Sequence, residues 1–424
     1  GPTQNGHGEA TDLPVEWSES ENVVWKTAIH PDAPNFSADI DDIAKASAEK
    51  TADSDGSDEN DAAPKADPRH FGWSSPVVFG DQVWLTTARG DGRAMYAVCV
   101  DRAGGKVVHD ILLFENEAPT DVLLTNSFAS PTPAIEAGRV YVHFGAYGTA
   151  CLDTEDGSVL WQRRDLNCDH LRGPGSSPLL DGELLYMHFD GIDSQFVVAL
   201  NKRTGDTVWR TERSFDFGTM DGDLRKAYDT PIIIRYEGKR QLISIGAKSV
   251  YSYDPATGEE LWSVRYDGYS NASRPLFDGK LLYLSTGFGK ADLWAIRPDG
   301  HGDVTDTHVV WRQTRNVSLK PTPVLVDGRI YMPYDKGILS CLDAATGELI
   351  WQERLRGAFS ASPVHADGRI YIPNEEGVTY VIEPGDKYKL LAENQLDDGC
   401  MASPAVVDGE IYLRTKTHLS RIGK

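Results

Sequence analysis

Residues 322–352 read TPVLVDGRIYMPYDKGILSCLDAATGELIWQ, and the fold follows from this stretch. Thr322-Pro323-Val324-Leu325-Val326 is a short apolar run, and Asp327-Gly328 behind it is a two-residue hairpin signal. Arg329-Ile330-Tyr331-Met332-Pro333 follows, then a turn at Asp335-Lys336-Gly337. Ile338-Leu339-Ser340-Cys341-Leu342-Asp343 leads into the turn Ala344-Ala345-Thr346-Gly347 and a last run, Glu348-Leu349-Ile350-Trp351-Gln352. Four strands joined by three tight turns make one propeller blade.

The unit recurs along the chain, which is the first thing to test in a long β sequence. Its opening proline stands at Pro76, Pro133, Pro178, Pro231, Pro275, Pro323, Pro363 and Pro404. Its closing Trp follows a turn glycine in Gly157-x-x-x-Trp161, Gly205-x-x-x-Trp209, Gly258-x-x-x-Trp262 and Gly347-x-x-x-Trp351, with Trp311 in a variant. The glycine supplies the positive φ of the turn, and the Trp is placed to cover the seam to the next blade. Two units depart: His109 stands where the first would have its Trp, and Lys387-Tyr388-Lys389-Leu390-Leu391 in the seventh has none. Other apolar groups are expected in those seams.

The eighth unit has three strands, at 403–407, 410–413 and 418–422. The fourth is expected from Asn22-Val23-Val24-Trp25-Lys26-Thr27, which would close the ring and remove two sheet edges. The chain thus divides into a disordered or cloning-derived start (1–14), a closing strand (15–30), an acidic low-complexity insertion (31–69) and the propeller (70–424), which forms one domain with 15–30. The insertion, with Asp53-Ser54-Asp55-Gly56-Ser57-Asp58-Glu59-Asn60-Asp61, reads as disordered, with a short helix over Asp39–Lys50. A second insertion, Phe215–Tyr228, carries Asp216, Asp221 and Asp223 and is expected to shape one face.

The net charge of −22, from 42 Lys and Arg against 64 Asp and Glu, argues against nucleic acid and anionic membranes, which need a cationic footprint. No apolar run is long enough to span a bilayer. Five cysteines exclude complete pairing. Cys99, Cys151 and Cys341 recur at one place in three units and read as small buried hydrophobes; Cys168 and Cys400 fall in loops.

The units resemble the PQQ repeat, as in Ser362-Pro363 with Gly368-Arg369-Ile370-Tyr371 and Leu342-Asp343-Ala344-Ala345-Thr346-Gly347 with Trp351. The resemblance covers 70–424 and the strand at 22–28, and it implies an eight-bladed, all-β propeller of four-stranded antiparallel blades. That family holds quinoprotein alcohol and glucose dehydrogenases, a non-catalytic lipoprotein of outer-membrane β-barrel assembly, and exported bacterial propellers, which this chain most resembles in Asn126-Ser127-Phe128-Ala129-Ser130-Pro131 and Arg172-Gly173-Pro174-Gly175-Ser176-Ser177-Pro178. Fold alone does not choose between them. The quinoproteins imply a vicinal disulfide and calcium ligands; this chain has no adjacent cysteines and no Cys-x-x-Cys-His, so PQQ with Ca²⁺ is disfavoured and no cofactor is expected.

Loops from each outer strand to the next inner strand gather at one mouth of the axial channel. Counting back from the prolines places His70, Trp73, Asn126, Cys168, Asp169, His170, Arg172, Asp229, Asn271, Arg274, Lys320, Ser360 and Cys400 there. Arg172, Arg274 and Lys320 put positive charge on an acidic protein, which suits an anionic group. Cys168-x-His170 with Cys400 matches no zinc spacing, so no metal is expected, and His143 and His188 read as satisfied strand residues. The expectation is an exported or periplasmic, monomeric, non-catalytic propeller that binds a partner protein or an anionic small molecule at this mouth. A PQQ-dependent alcohol or sugar dehydrogenase is the alternative, and a polysaccharide-acting enzyme with a carboxylate pair the second.

Overall fold

The computed structural model describes residues 5–29, 70–123 and 125–424, so the acidic insertion 31–69 and the helix expected in it lie outside the described residues. Eight sheets stand around one axis. Their inner strands are Val77–Phe79, Ala134–Glu136, Leu179–Asp181, Ile232–Tyr236, Leu276–Phe277, Val324–Val326, Val364–Ala366 and Ala405–Val407, which define blades 1 to 8. Every blade has an antiparallel four-stranded path. Blades 1 and 4 each gain a fifth strand: His70–Phe71 pairs with Gln82–Arg89, and Gly302–Asp303 runs parallel to Glu260–Arg265 on the outer edge.

The ring closes as its sequence requires. Val23–Ala28 lies antiparallel to His418–Ile422, with Trp25 opposite Arg421 and Thr27 opposite Leu419. A second closure runs around the axis. The residue before each opening proline is held extended by the proline ring, and its hydroxyl accepts the backbone N–H of the matching residue in the preceding blade. Ser75 N–H reaches Thr132 Oγ1 (3.0 Å), Thr132 reaches Ser177 (2.9 Å), and Ser177 reaches Thr230 (3.0 Å). Arg274 reaches Thr322 (2.9 Å), Thr322 reaches Ser362 (3.0 Å), Ser362 reaches Ser403 (2.9 Å), and Ser403 returns to Ser75 (3.1 Å). The step from blade 4 to blade 5 is missing because Arg274 has no hydroxyl to offer.

On the outside, Trp binds blade to blade. The indole N–H groups of Trp25, Trp161, Trp209, Trp311 and Trp351 donate to the carbonyls of Arg102, Lys202, Pro255, Ala344 and Gly385 in the next blade, at 2.9–3.1 Å. Each ring leans on a second-strand Tyr of its own blade, as in Tyr141–Trp161 and Tyr331–Trp351. Four of these rings also lie on the turn glycine of the next blade. A methyl on Gly347 would stand 2.5 Å from Trp311, and one on Gly258 2.5 Å from Trp209. Glycine therefore serves twice there, for φ and for the close approach of the indole.

Three seams differ. In blade 1, His109 takes the Trp place and stacks on Trp84 (5.6 Å, 17°), so an imidazole stands where an apolar group was expected. In blade 4, Trp262 turns inward and donates to Gln241, whose own amide donates to Pro298 of the next blade (both 2.8 Å). In blade 7 the Trp place holds Ala392, opposite Val381, and the missing ring comes from outside the repeats. Trp17 stacks on Tyr371 (6.3 Å, 24°), its backbone N–H donates to Asn394 Oδ1, and Asn394 donates back to Val15.

Residues 5–14 belong to the fold, against the expectation of a disordered start. Leu13 and Ala10 are buried in the apolar cluster between blades 7 and 8, Leu13 N–H donates to Asp367, and Gly8 pairs with His365. The apolar content of this segment, together with the room left by Ala392, draws it in.

Two measurements test these seams. Trp17→Ala should cost about 3–5 kcal/mol in urea unfolding, the value of a buried aromatic; an effect near zero would show that blade 7 does not depend on the borrowed ring. Gly347→Ala and Gly328→Ala have the same positive φ (+74° and +73°), but nothing lies within 4 Å of Gly328. Gly347→Ala should be worse by about 1–3 kcal/mol, the cost of overpacking.

Candidate functional site

In a four-stranded antiparallel blade, the 2→3 turn and the 4→1 loop come out on the same face. The mouth is therefore built from both, whereas the sequence reading counted the 4→1 loops alone. Trp73, Asn126, Arg172, Lys320 and Ser360 line a mouth cavity of about 290 Å³. Beside them stand Leu123, Asp223, Lys226, Tyr228, Tyr269, Phe288 and Met401. Phe288 comes from the 2→3 turn Gly287-Phe288-Gly289 of blade 5. Asp223, Lys226 and Tyr228 come from the second insertion, where Asp221 caps the short helix Gly222–Arg225 by accepting from Asp223 N–H. Below the mouth, the axial channel opens into about 520 Å³ lined by Trp73, Tyr228, Arg274, Lys320 and the hydroxyl ring.

The other expected residues do not meet at the mouth. Cys168 and His170 are buried behind it, where His170 Nε2 accepts Ala146 N–H (3.1 Å) and the Cys168 sulfur lies 3.6 Å from His170 Nδ1. Asp169 turns back to accept Leu171 N–H (2.8 Å). Asn271 is buried and donates to Ser285 O (3.1 Å); Cys400 is buried and donates to the Ala402 and Arg414 carbonyls (3.2 Å each). Arg274 lies lower in the channel wall and donates to Pro231 O (2.9 Å). The side chain of His70 lies outside the described residues.

The basic cluster is not a free one. Arg172 Nε stands 3.3 Å from Asp223, and Lys226 Nζ binds the same carboxylate. Lys320 Nζ stands 3.0 Å from Glu375, which also accepts the Ser360 hydroxyl. Both acids come from elements that the count from the prolines did not include. Asn126 is spent on structure: it donates to Arg172 O and Pro174 O and accepts from Ser130 and Ser127.

Behind the mouth, between blades 3 and 4, lies a fully buried polar chain. Arg213 binds Asp190 through two nitrogens (3.0 Å and 2.6 Å) and donates to Ser244 Oγ (2.8 Å). Ser244 meets His188 Nδ1 (2.9 Å), and His188 Nε2 faces Asp229 Oδ1 at 3.3 Å, off the hydrogen-bond line, with neither atom otherwise partnered. Burial disfavours both charged forms. It brings His188 down to about 4 and holds Asp229 well above the usual carboxylate range. Next door, His143 is satisfied by Thr149 (2.8 Å).

A carboxyl whose folded pKa is raised contributes stability below its unfolded pKa and loses it as pH rises toward the folded value. Asp229→Asn should therefore gain on the parent protein between pH 5 and pH 7, by up to about 1.4 kcal/mol per pH unit. Urea midpoints at the two pH values measure this. An unchanged gap would mean that Asp229 titrates in the ordinary range.

Comparison with known proteins places this geometry. The family model described as outer membrane protein assembly factor BamB matches residues 18–300 and 300–390. The chain is 26% identical over 190 residues to the outer membrane protein assembly factor BamB of Alkalilimnicola ehrlichii (42% of this chain, 43% of that protein). It is 29% identical over 191 residues to methanol dehydrogenase (cytochrome c) subunit 1 of Methylorubrum extorquens (39% and 29%). Less than half the length of each of these curated relatives is matched. Among solved structures, BamB from Moraxella catarrhalis superposes with a TM-score of 0.58 at 13% identity (83% of this chain, 94% of that one). A europium-containing methanol dehydrogenase superposes at 0.62 and 12% (83% and 84%). Identities this low speak to the fold alone. On the match of the family model over most of its length, the chain belongs to the PQQ-repeat propeller family described as outer membrane protein assembly factor BamB.

Proposed function

We propose that this protein is a non-catalytic propeller of the cell envelope that holds a segment of a partner protein in the mouth of its channel. One observation carries the reading: the mouth combines apolar and aromatic side chains, Trp73, Leu123, Tyr269, Phe288 and Met401, with cations that already have carboxylate partners. A small anion would have to displace Asp223 or Glu375. A polypeptide segment instead buries the aromatic surface and leaves those pairs at the rim, where interface energetics place them. Placement in the envelope agrees with the description of the family.

The dehydrogenase reading has less support. A calcium ion takes six to eight oxygen ligands, yet among the described residues no three His, Cys, Asp or Glu gather as a metal site. Asp223 and Glu375 are engaged by Arg172, Lys226 and Lys320. All five cysteines are free and buried. These carboxylate engagements weigh against a calcium–quinone seat at the mouth.

A photo-crosslinking residue at Phe288, with a control at the exposed Phe79 on the opposite face, tests the proposal in cell-envelope extract. A discrete protein adduct should form at Phe288 and not at Phe79, and Trp73→Ala should weaken capture by about 30-fold, the scale of an interface hot spot of 2 kcal/mol. Absence of any adduct at Phe288, together with dye reduction on addition of PQQ and Ca²⁺, would transfer the case to the dehydrogenase.

A further inference from the structure

Toward the end of the axial channel away from the mouth, the protein's own chain runs parallel to the blade 7 inner strand Val364–Ala366. Asn5, Gly6 and His7 line the 520 Å³ cavity together with inner-strand residues such as Phe277, Leu325, Val364 and Ala405. Among the hydrogen bonds that hold this segment are Gly8 N–H to His365 O (2.9 Å) and His365 N–H to Gly6 O (2.7 Å). A side-chain contact of this bridge joins two imidazoles, His7 Nδ1 and His365 Nδ1, at 3.2 Å, with the rings edge to face at 5.1 Å. We infer that Asn5–Gly8 is a plug in the base of the channel, and that placing a proton on both rings of the His7–His365 pair expels it.

The chemistry of the contact requires this. Two nitrogens 3.2 Å apart share one proton, one donating and the other accepting. The pair therefore accommodates neutral rings or a single imidazolium. With two protons neither nitrogen can accept, and two like charges face each other in a half-buried site. Burial and the neighbouring His7 hold His365 below its ordinary value, while Asp327, on the blade 6 hairpin, pulls the other way. The charged groups near the strap include the exposed Glu9 and Asp12, Asp367, which already binds Leu13 N–H and Arg369, and Arg274 and Lys320 on the wall of the same cavity. The closed form binds fewer protons than the open form, so acid opens it.

The plug swings and does not leave. Asp12, at φ +60°, bends the chain just before Leu13 and Trp17, which stay anchored between blades 7 and 8. Withdrawal of Asn5–Gly8 frees the channel wall along Val364–Ala366 and, on the proposed function above, lengthens the space for a segment held at the mouth.

The test uses the full chain with Asn5→Cys carrying a nitroxide. The five native cysteines are buried, so the label goes to the new one. The spectrum should be immobilised at pH 8, and the ratio of mobile to immobile signal should rise by up to tenfold per pH unit as pH falls from the ordinary imidazole range toward the lowered value of His365 in the closed form, while far-UV circular dichroism stays constant. His365→Gln, or its companion His7→Gln, should keep the label immobilised at pH 5. The proposal is overturned by a wild-type plug that stays immobilised at pH 5, by release of both Gln variants with the parent's pH profile, or by both being mobile already at pH 8.

Discussion

Eight sheets close on one axis only if every inner strand enters the channel at the same height, and here a chain of hydroxyls and amides sets that height. Each Ser or Thr before a proline accepts one N–H, and all but Thr230 donate their own to the next. A single bond of this type contributes about 1 kcal/mol net. Their joint effect is geometric, because they fix where the 4→1 loops leave the ring and hence the outline of the mouth. Arg274 breaks the chain at one place and puts a cation into the channel wall there. The outer Trp–carbonyl bonds do the same work at the rim in five of the eight seams.

The fold was legible because its signals are local. Turn glycines, opening prolines and closing Trp residues act within a few residues of themselves, so counting them finds the blades and the strand at 23–28. Trp17 was not legible as a blade residue, because its meaning depends on Ala392 leaving room for it and on Tyr371 waiting beneath. Nothing in residues 5–22 repeats anything else.

The candidate site was half legible for a similar reason. Trp73, Arg172, Lys320 and Ser360 come to the mouth because the 4→1 loops must converge there. Their charge balance was misjudged, since the partners stand in other parts of the chain: Asp223 is 51 residues from Arg172, and Glu375 is 55 from Lys320. The 2→3 turns face the same way as the loops and bring in Phe288 and Glu375, a consequence of strand parity that no motif announces. Asp229 and His188 looked like a mouth residue and an ordinary strand residue. Together with Arg213, Asp190 and Ser244 they make a buried polar chain that packing alone does not require.

The Trp17 segment also bears on how the molecule is made. Residues 5–28 are made before any of the blades, yet their partners stand in the last blades of the ring. Val15 waits for Asn394, 379 positions later, and Trp25 waits for the strand ending at Ile422. Contacts of such long range are slow to form. Until then an indole and several aliphatic groups travel uncovered on a nascent polypeptide, which gives holding chaperones a defined target and makes closure of the ring wait for the strand ending at Ile422.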